Sequence, residues 1–344
     1  MKTVLTVIGA RPQFIKAAPL SRAFQRLRGL REIIVHTGQH FDPNMSEVFF
    51  EELGLPRPDF HLGIHGGSHG AMTGRMIVAL EEVVLSTRPD AIVIYGDTNS
   101  TLAGAIVGAK LFIPIAHVEA GLRAFQPIPE EVNRILADRV SRWLFCPTET
   151  AVRNLAAEGI RDGVHRVGDV MYDATLLMRE KSKASTILQR LGLKAGEFDL
   201  ATIHRQENTD SRDALAAVID YLRDAAREMT IVLPLHPRTR QAAAAFKLDF
   251  APVRVIEPVG FLDMTALLAE CRRVITDSGG VQKEAYFHRK PCVTLRDATE
   301  WVETIESGWN RLWRGPDYAP RRDNDAYGDG QAALRIAQII AAEI

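Results

Sequence analysis

Residues 274–284 read VITDSGGVQKE: a β-branched strand, a Ser-Gly-Gly turn and the opening of a helix. A strand that runs through a glycine turn into a helix is the repeating unit of open α/β sheets, which take ligands at the carboxyl ends of their strands. The unit recurs on both sides of this stretch. FDLATIH (198–204), TIVLPLHP (230–237) and VRVIEPVG (253–260) precede it, and KPCVTL (290–295) follows. Further back stand TVLTVIG (3–9), EIIVHTG (32–38), AIVIYGD (91–97), IPIAHVE (113–119) and RWLFCP (142–147). Intervening stretches such as 12–29, 71–88 and 98–110 repeat apolar residues every three or four positions, the helix period. The alternation predicts parallel sheets covered on both faces, an α/β chain of two Rossmann-like halves.

Length agrees, since 344 residues at about 150 per domain make two domains. The expected boundaries are 1–168 and 169–330, with the join inside Gly168–Leu193. Residues 308–330, rich in Gly, Pro, Asp and Arg, read as an irregular surface excursion, and QAALRIAQIIAAEI (331–344) reads as a terminal amphipathic helix. With 42 basic against 43 acidic side chains the net charge is -1, so no global field recruits nucleic acid or an anionic membrane and anion recognition must be local. Cys146, Cys271 and Cys292 are widely spaced in apolar surroundings and read as buried reduced thiols. The start MKTVLTVIGARP lacks a signal-peptide core, and no run approaches the ~18 apolar residues of a membrane span, so a cytoplasmic soluble protein is expected.

Polar residues directly after the strands carry the candidate chemistry. Gly9-Ala10-Arg11 turns into a helix bearing Lys16, and the turn can offer backbone N–H groups and a bidentate guanidinium to an anion. Ser278-Gly279-Gly280 lets a diphosphate approach the backbone at a helix start. Glu284, a turn later, would repel phosphate yet suits two ribose hydroxyls. Asp97 and Glu119 end strands, and Glu130-Glu131 opens a helix; converging carboxylates supply general acids and bases. His204 and His236 each follow a strand with an Arg nearby, which suggests a polyanion site. Each feature alone also has a plain structural reading as a cap, a helix-start acid or a satisfied histidine. No metal-ligand spacing is present, and no metal is expected.

The ordered set GARPQFIKAAPL, TGQH (37–40), YGDTNSTLAG, HVEAGLR, PEEVNR, CPTET, VGDVMYDA, TIHRQEN, LHPRT, ITDSGGVQKEA and LRDATEW resembles the non-hydrolysing UDP-N-acetylglucosamine 2-epimerase family over almost the whole chain. The resemblance implies two Rossmann-like domains facing across a cleft, as in the phosphorylase-like glycosyltransferases. It also implies a homodimer and a terminal helix packed back on the first domain, and no cofactor is expected. It places catalytic roles on Asp97, Glu119, Glu130 and His204. UDP binding falls on Arg11, Ser278, Gly279, Gly280 and Glu284. Family members activated by their own substrate carry Gln and Arg residues where this chain reads FDPN (41–44) and HGGSHG (65–70), so such activation is not expected. GGSHG, QKEAYF and DATEWVET are closer to the branch acting on UDP-2,3-diacetamido-2,3-dideoxyglucuronate.

Inverting C2 of a 2-acetamido sugar is hard because no carbonyl sits beside that C–H bond. Oxidation by a nicotinamide would serve, but the chain has no G-x-G-x-x-G after a strand. The other route expels UDP from C1 as the C2 proton leaves, and then reverses on the opposite face. A metal-independent UDP-sugar glycosyltransferase would share the diphosphate grip but needs only one base near C1. A silent nucleotide-sugar binder would need none of the acids.

Overall fold

A computed structural model describes residues 1–39, 50, 52–323 and 325–344. His40 of the TGQH motif and the FDPN segment fall outside the described residues. The chain divides into two units, Met1–Leu176 with Asp325–Ile344, and Leu177–Asn324.

The first unit is a seven-stranded parallel sheet in the order β3-β2-β1-β4-β5-β6-β7. Its strands are β1 (Lys2–Ile8), β2 (Leu30–His36), β3 (Phe60–His61), β4 (Ala91–Tyr95), β5 (Ile115–Val118), β6 (Trp143–Cys146) and β7 (Val164–Arg166). Val4, Leu5, Val7 and Ile8 of β1 are fully buried, as expected of a central strand covered on both faces. The helices are α1 (Arg11–Arg26), α2 (His69–Thr87), α3 (Asn99–Lys110), α4 (Pro129–Val140) and α5 (Glu149–Ala157). Next comes α6 (Val170–Ser182), and the chain returns at its end as a further helix, Ala332–Glu343.

That last helix packs on α1 and buries Ala332, Ala333, Ile336, Ala337 and Ile340. Its first N–H groups, from Ala332 and Ala333, donate to the Asp173 carboxylate at 3.2 and 2.8 Å, and Trp143 Nε1 donates to Glu343 at its far end. Asp173 thereby ties the start of α6 to the first unit. Where the chain rejoins this unit, the Asp169 N–H donates to the Tyr327 carbonyl at 3.0 Å.

The second unit is a six-stranded parallel sheet, β10-β9-β8-β11-β12-β13. Its strands are β8 (Asp199–Thr202), β9 (Ile231–Pro234), β10 (Arg254–Ile256), β11 (Arg273–Thr276), β12 (Cys292–Thr294) and β13 (Asn310–Leu312). Between them run α7 (Ile187–Arg190), α8 (Gln206–Thr209), α9 (Arg212–Ala225), α10 (Pro237–Phe246), α11 (Phe261–Glu270), α12 (Gly279–Phe287) and α13 (Val302–Glu306), and the terminal helix of the first unit is α14. Residues 308–330 are therefore not wholly irregular, because Asn310–Leu312 adds an edge strand to β12. Three residues are too few to show an alternating pattern in sequence.

Six strands of each sheet follow the doubly wound order 3-2-1-4-5-6, whose direction reverses between the first and fourth strands. The switch point lies between β1 and β4 in one unit and between β8 and β11 in the other. The three cysteines are free and buried, and no helix among the described residues is long and apolar enough to cross a membrane.

Candidate functional site

In the first unit the strand ends on either side of the switch point carry Arg11, Asp97 and Glu119. Beyond β1, Gly9 is required by close approach: a Cβ there would lie 1.9 Å from Thr37 Oγ1 and 2.3 Å from Ser100 Oγ. The buried Gln13 then folds back. Its Oε1 accepts the N–H groups of Gly9 and Ala10 at 2.8 and 3.0 Å, and its Nε2 donates to the Tyr95 carbonyl at 2.9 Å. Those two N–H groups are thus committed, contrary to the expectation that the turn offers them to an anion. What the turn presents is the half-buried Arg11 at the first position of α1.

Glu119 follows β5 with φ +71°, a left-handed backbone that a side-chain-bearing residue rarely adopts and that clusters at functional sites. Its carboxylate accepts from Lys16 Nζ of α1. Gly96, at φ +61°, leaves room for this pair, since a Cβ there would stand 3.3 Å from both Glu119 Oε2 and Lys16 Nζ. Asp97 comes next along the chain. Arg134 Nη2 of α4 donates to its Oδ2 at 2.5 Å, and Asn133 Nδ2 donates to its carbonyl at 2.8 Å. Burial works against the Arg134 charge, yet Asp97 and Glu131 together hold the guanidinium above its ordinary pKa.

The structure separates the two acids of the PEE motif. Glu131 is buried and structural: it accepts the N–H groups of Ala124 and Phe125 and pairs with Arg134 at 2.9 Å. Glu130 is exposed in the first turn of α4, one helical turn before Arg134 and on the same face. No hydrogen bond or ion pair from its carboxylate is found among the described residues.

In the second unit the ends of β8, β9 and β11 carry His204, His236 and Ser278. Asp277, fully buried after β11, accepts the backbone N–H groups of His204 and Arg205, each at 3.0 Å from its Oδ2, and faces His204 Nδ1 at 3.4 Å. His204 and His236 sit side by side with ring centroids 5.7 Å apart. His236 is exposed and caps α10 by accepting the Arg238 N–H at 3.2 Å. Ser278 caps α12 through Oγ to the Val281 N–H at 3.4 Å, and Gly279 and Gly280 form its first turn. Glu284 is half-buried one turn along. Glu300 walls this helix start, with Oε1 only 2.5 Å from where a Gly279 Cβ would be. Burial opposes the Glu300 charge, but Arg296 and Arg205 hold it below the usual carboxylate range.

The sequence reading missed Gln13, Arg134, Asp277 and Glu300. Arg134 had a signal, the i, i+4 spacing from Glu130 in PEEVNR; Asp277 read as the end of its strand.

Comparison with known proteins adds an independent finding. A family model described as UDP-N-acetylglucosamine 2-epimerase matches residues 22–341. The chain is 49% identical, over 98% of its length and 99% of the relative's, to a Pseudomonas aeruginosa protein named UDP-2,3-diacetamido-2,3-dideoxy-D-glucuronate 2-epimerase. It is 41% identical to the UDP-N-acetylglucosamine 2-epimerase of Methanocaldococcus jannaschii, over 97% of each chain. Among solved structures, the M. jannaschii UDP-GlcNAc 2-epimerase in complex with UDP-GlcNAc and UDP superposes with a TM-score of 0.88 at 38% identity, covering 99% of this chain and 100% of that one. A Neisseria meningitidis UDP-GlcNAc 2-epimerase bound to UDP-GlcNAc gives 0.89 at 29% identity, with the same coverage.

Proposed function

Since the chain belongs to the UDP-N-acetylglucosamine 2-epimerase family, we propose that it inverts C2 of a UDP-linked 2-acetamido sugar by expelling UDP and taking it back. The observation that carries this reading is a pair of neighbouring strand ends, those of β4 and β5 beside the switch point: Asp97 and Glu119 stand there as positioned carboxylates, each beside a cation. A sugar transferase has no use for two such acids.

One carboxylate takes the C2 proton. The C–H electron pair becomes the C1=C2 double bond, and the C1–O bond breaks with its electrons leaving on UDP. In the return step a phosphate oxygen of UDP bonds to C1 while C2 takes a proton on the other face, so atoms and charge balance and no cofactor is consumed. Asp97, Glu119 and Glu130 are the candidate acids and bases. Lys16 holds the Glu119 carboxylate. Arg11, His236 and the Ser278–Gly280 helix start would stabilise charge on the departing diphosphate, one such donor being worth about 3 kcal/mol. His204 would hold or protonate a phosphate oxygen, and Glu284 would accept from the ribose hydroxyls.

A second reading of the substrate rests on the 49% identity to the diacetamido-glucuronate epimerase. Parallel assays of UDP-N-acetylglucosamine and UDP-2,3-diacetamido-2,3-dideoxyglucuronate in heavy water decide both questions. Deuterium must enter at C2 of the true substrate, and the absence of label from both would defeat the epimerase reading.

We further propose a homodimer located in the cytoplasm. Val132, Leu136 and Val140 are exposed at four-residue spacing along α4, an apolar stripe suited to a second copy. Buried free thiols agree with a reducing compartment. Sedimentation of Leu136→Glu should show monomer where the parent sediments as dimer; a monomeric parent would remove the proposal.

A further inference from the structure

The HVEAGLR motif contains two residues that the roles above leave unused, His117 and Arg123, and both are buried. His117 lies in β5 with no exposed surface, and both of its ring nitrogens are engaged. Nδ1 is 2.7 Å from Asp138 Oδ1, and Nε2 is 2.8 Å from the carbonyl oxygen of Gly96. A carbonyl oxygen can only accept, so Nε2 carries a hydrogen. Asp138 is the opposite partner. Its Oδ2 accepts the Gly121 N–H at 3.2 Å and Arg123 Nη1–H at 2.8 Å. Burial opposes its charge, but the Arg123 guanidinium and the Gly121 N–H, both donating to Oδ2, favour the ionised carboxylate. An ionised carboxylate has no hydrogen to give, so Nδ1 must carry one as well. A neutral imidazole has only one.

The charges support the same assignment. Arg123 forks onto Glu158 with Nε and Nη2 at 2.6 and 2.9 Å while its Nη1 binds Asp138. Two cations, Arg123 and the doubly protonated ring, then balance two carboxylates, Asp138 and Glu158. Glu158 reaches solvent while Asp138 does not, so the ring's charge lies against the carboxylate that water cannot stabilise.

We propose that His117 is held as an imidazolium and is the positioning residue for Asp97. Gly96 is pinned on both sides by β5: its N–H donates to the Val118 carbonyl at 3.0 Å, and its carbonyl accepts from His117. The next carbonyl, that of Asp97 itself, accepts from Asn133. With the turn fixed at these three points, the backbone sets where the Asp97 side chain leaves the chain and Arg134 holds its carboxylate; the strand that fixes the turn is the one that ends in Glu119. The ring thereby sets the spacing of two acids without meeting substrate. This inference rests on the reading of Asp97 as a catalytic acid.

The test uses the full chain labelled with ¹⁵N-histidine. At pH 7 the His117 ring, identified by its loss from the spectrum of His117→Gln, must show two directly bonded N–H groups; a single N–H overturns the assignment. Kinetics then separate positioning from plain ion pairing. A glutamine amide can stand at the Nε2 place and donate to Gly96, whereas an asparagine amide reaches only the Nδ1 place beside Asp138. His117→Asn should lose on the order of 10²-fold in kcat with UDP affinity unchanged, the scale of a misplaced catalytic group, and His117→Gln should recover most of it. Equal losses, or a better asparagine variant, overturn the positioning role. If the variants do not fold, the ring is identified in the unmodified chain by the through-space contact of its Nε2 hydrogen with Gly96, and the count of its N–H groups still decides. If that chain itself never labels C2, the epimerase reading falls while the two N–H groups of the ring remain to be counted.

Discussion

Replacing Glu32 by glutamine should stabilise the first unit above neutral pH and do so much less in mild acid. Glu32 sits in β2 with its Oε2 enclosed, and its Oε1 accepts from Thr6 Oγ1 at 2.6 Å. Burial drives its carboxyl from the ordinary 4.5 to about 7, against the Thr6 hydrogen bond and reinforced by Asp59. A raised carboxyl favours folding in its protonated form. Its contribution is therefore complete below pH 4.5 and lost as pH rises through 7. At about 1.4 kcal/mol for each tenfold change in binding, the full loss at pH 8 is about 3 kcal/mol, of which about 1 kcal/mol is already gone at pH 5. Glutamine keeps an acceptor for Thr6 and has no charge to bury. Urea unfolding read by hydrogen exchange in peptides covering 2–8 and 30–36 would measure the effect at both pH values. Asp173, raised by burial from 3.8 to about 6, gives both proteins a slope of the same sign, so the difference between them isolates Glu32. A difference that does not grow between pH 5 and 8 would refute the argument.

Asp97→Asn and Glu119→Gln should each abolish deuterium entry at C2 while UDP still binds by calorimetry; normal epimerisation by either variant removes that residue from the catalytic set. Arg11→Ala should weaken UDP binding about 10- to 100-fold, the range for one charge-assisted hydrogen bond, and unchanged affinity would count against its phosphate role. Ile336→Ala empties a fully buried site under α14 and should cost about 2–5 kcal/mol of first-unit stability; a loss under about 1 kcal/mol would mean that α14 is not part of that unit's core.

The two sheets were legible because strand and helix periods are local properties, and the residues after each apolar run stand at carboxyl ends by construction. Asp97, Glu119, His204 and Ser278 could be named on that ground alone. What local pattern cannot carry is which partner each polar side chain takes. Gln13 looks like any helix-start residue until its amide is found bridging Gly9 and Tyr95, 82 residues apart in sequence from Gln13. Glu130 and Glu131 are chemically identical neighbours, and only the N–H groups of Ala124 and Phe125 mark the second as a brace.

Two of the missed residues, Gln13 and Asp277, share a physical trait with Asn133 and His117: they act on backbone rather than on a ligand. Asp277 collects the amides of the His204 loop, Asn133 and His117 fix the carbonyls around Asp97, and Gln13 takes the amides of the first turn. The ends of β1, β4 and β8 thus each present a reactive side chain on a turn whose backbone is held by a buried polar group from another element. Such a group must satisfy every hydrogen it has, because an orphaned polar atom in the interior costs about 1–3 kcal/mol. Full satisfaction is what makes these residues rigid supports. It also makes them invisible to a reading that looks for exposed chemistry, and a second element brought to each strand end by the fold is needed before their roles can be assigned.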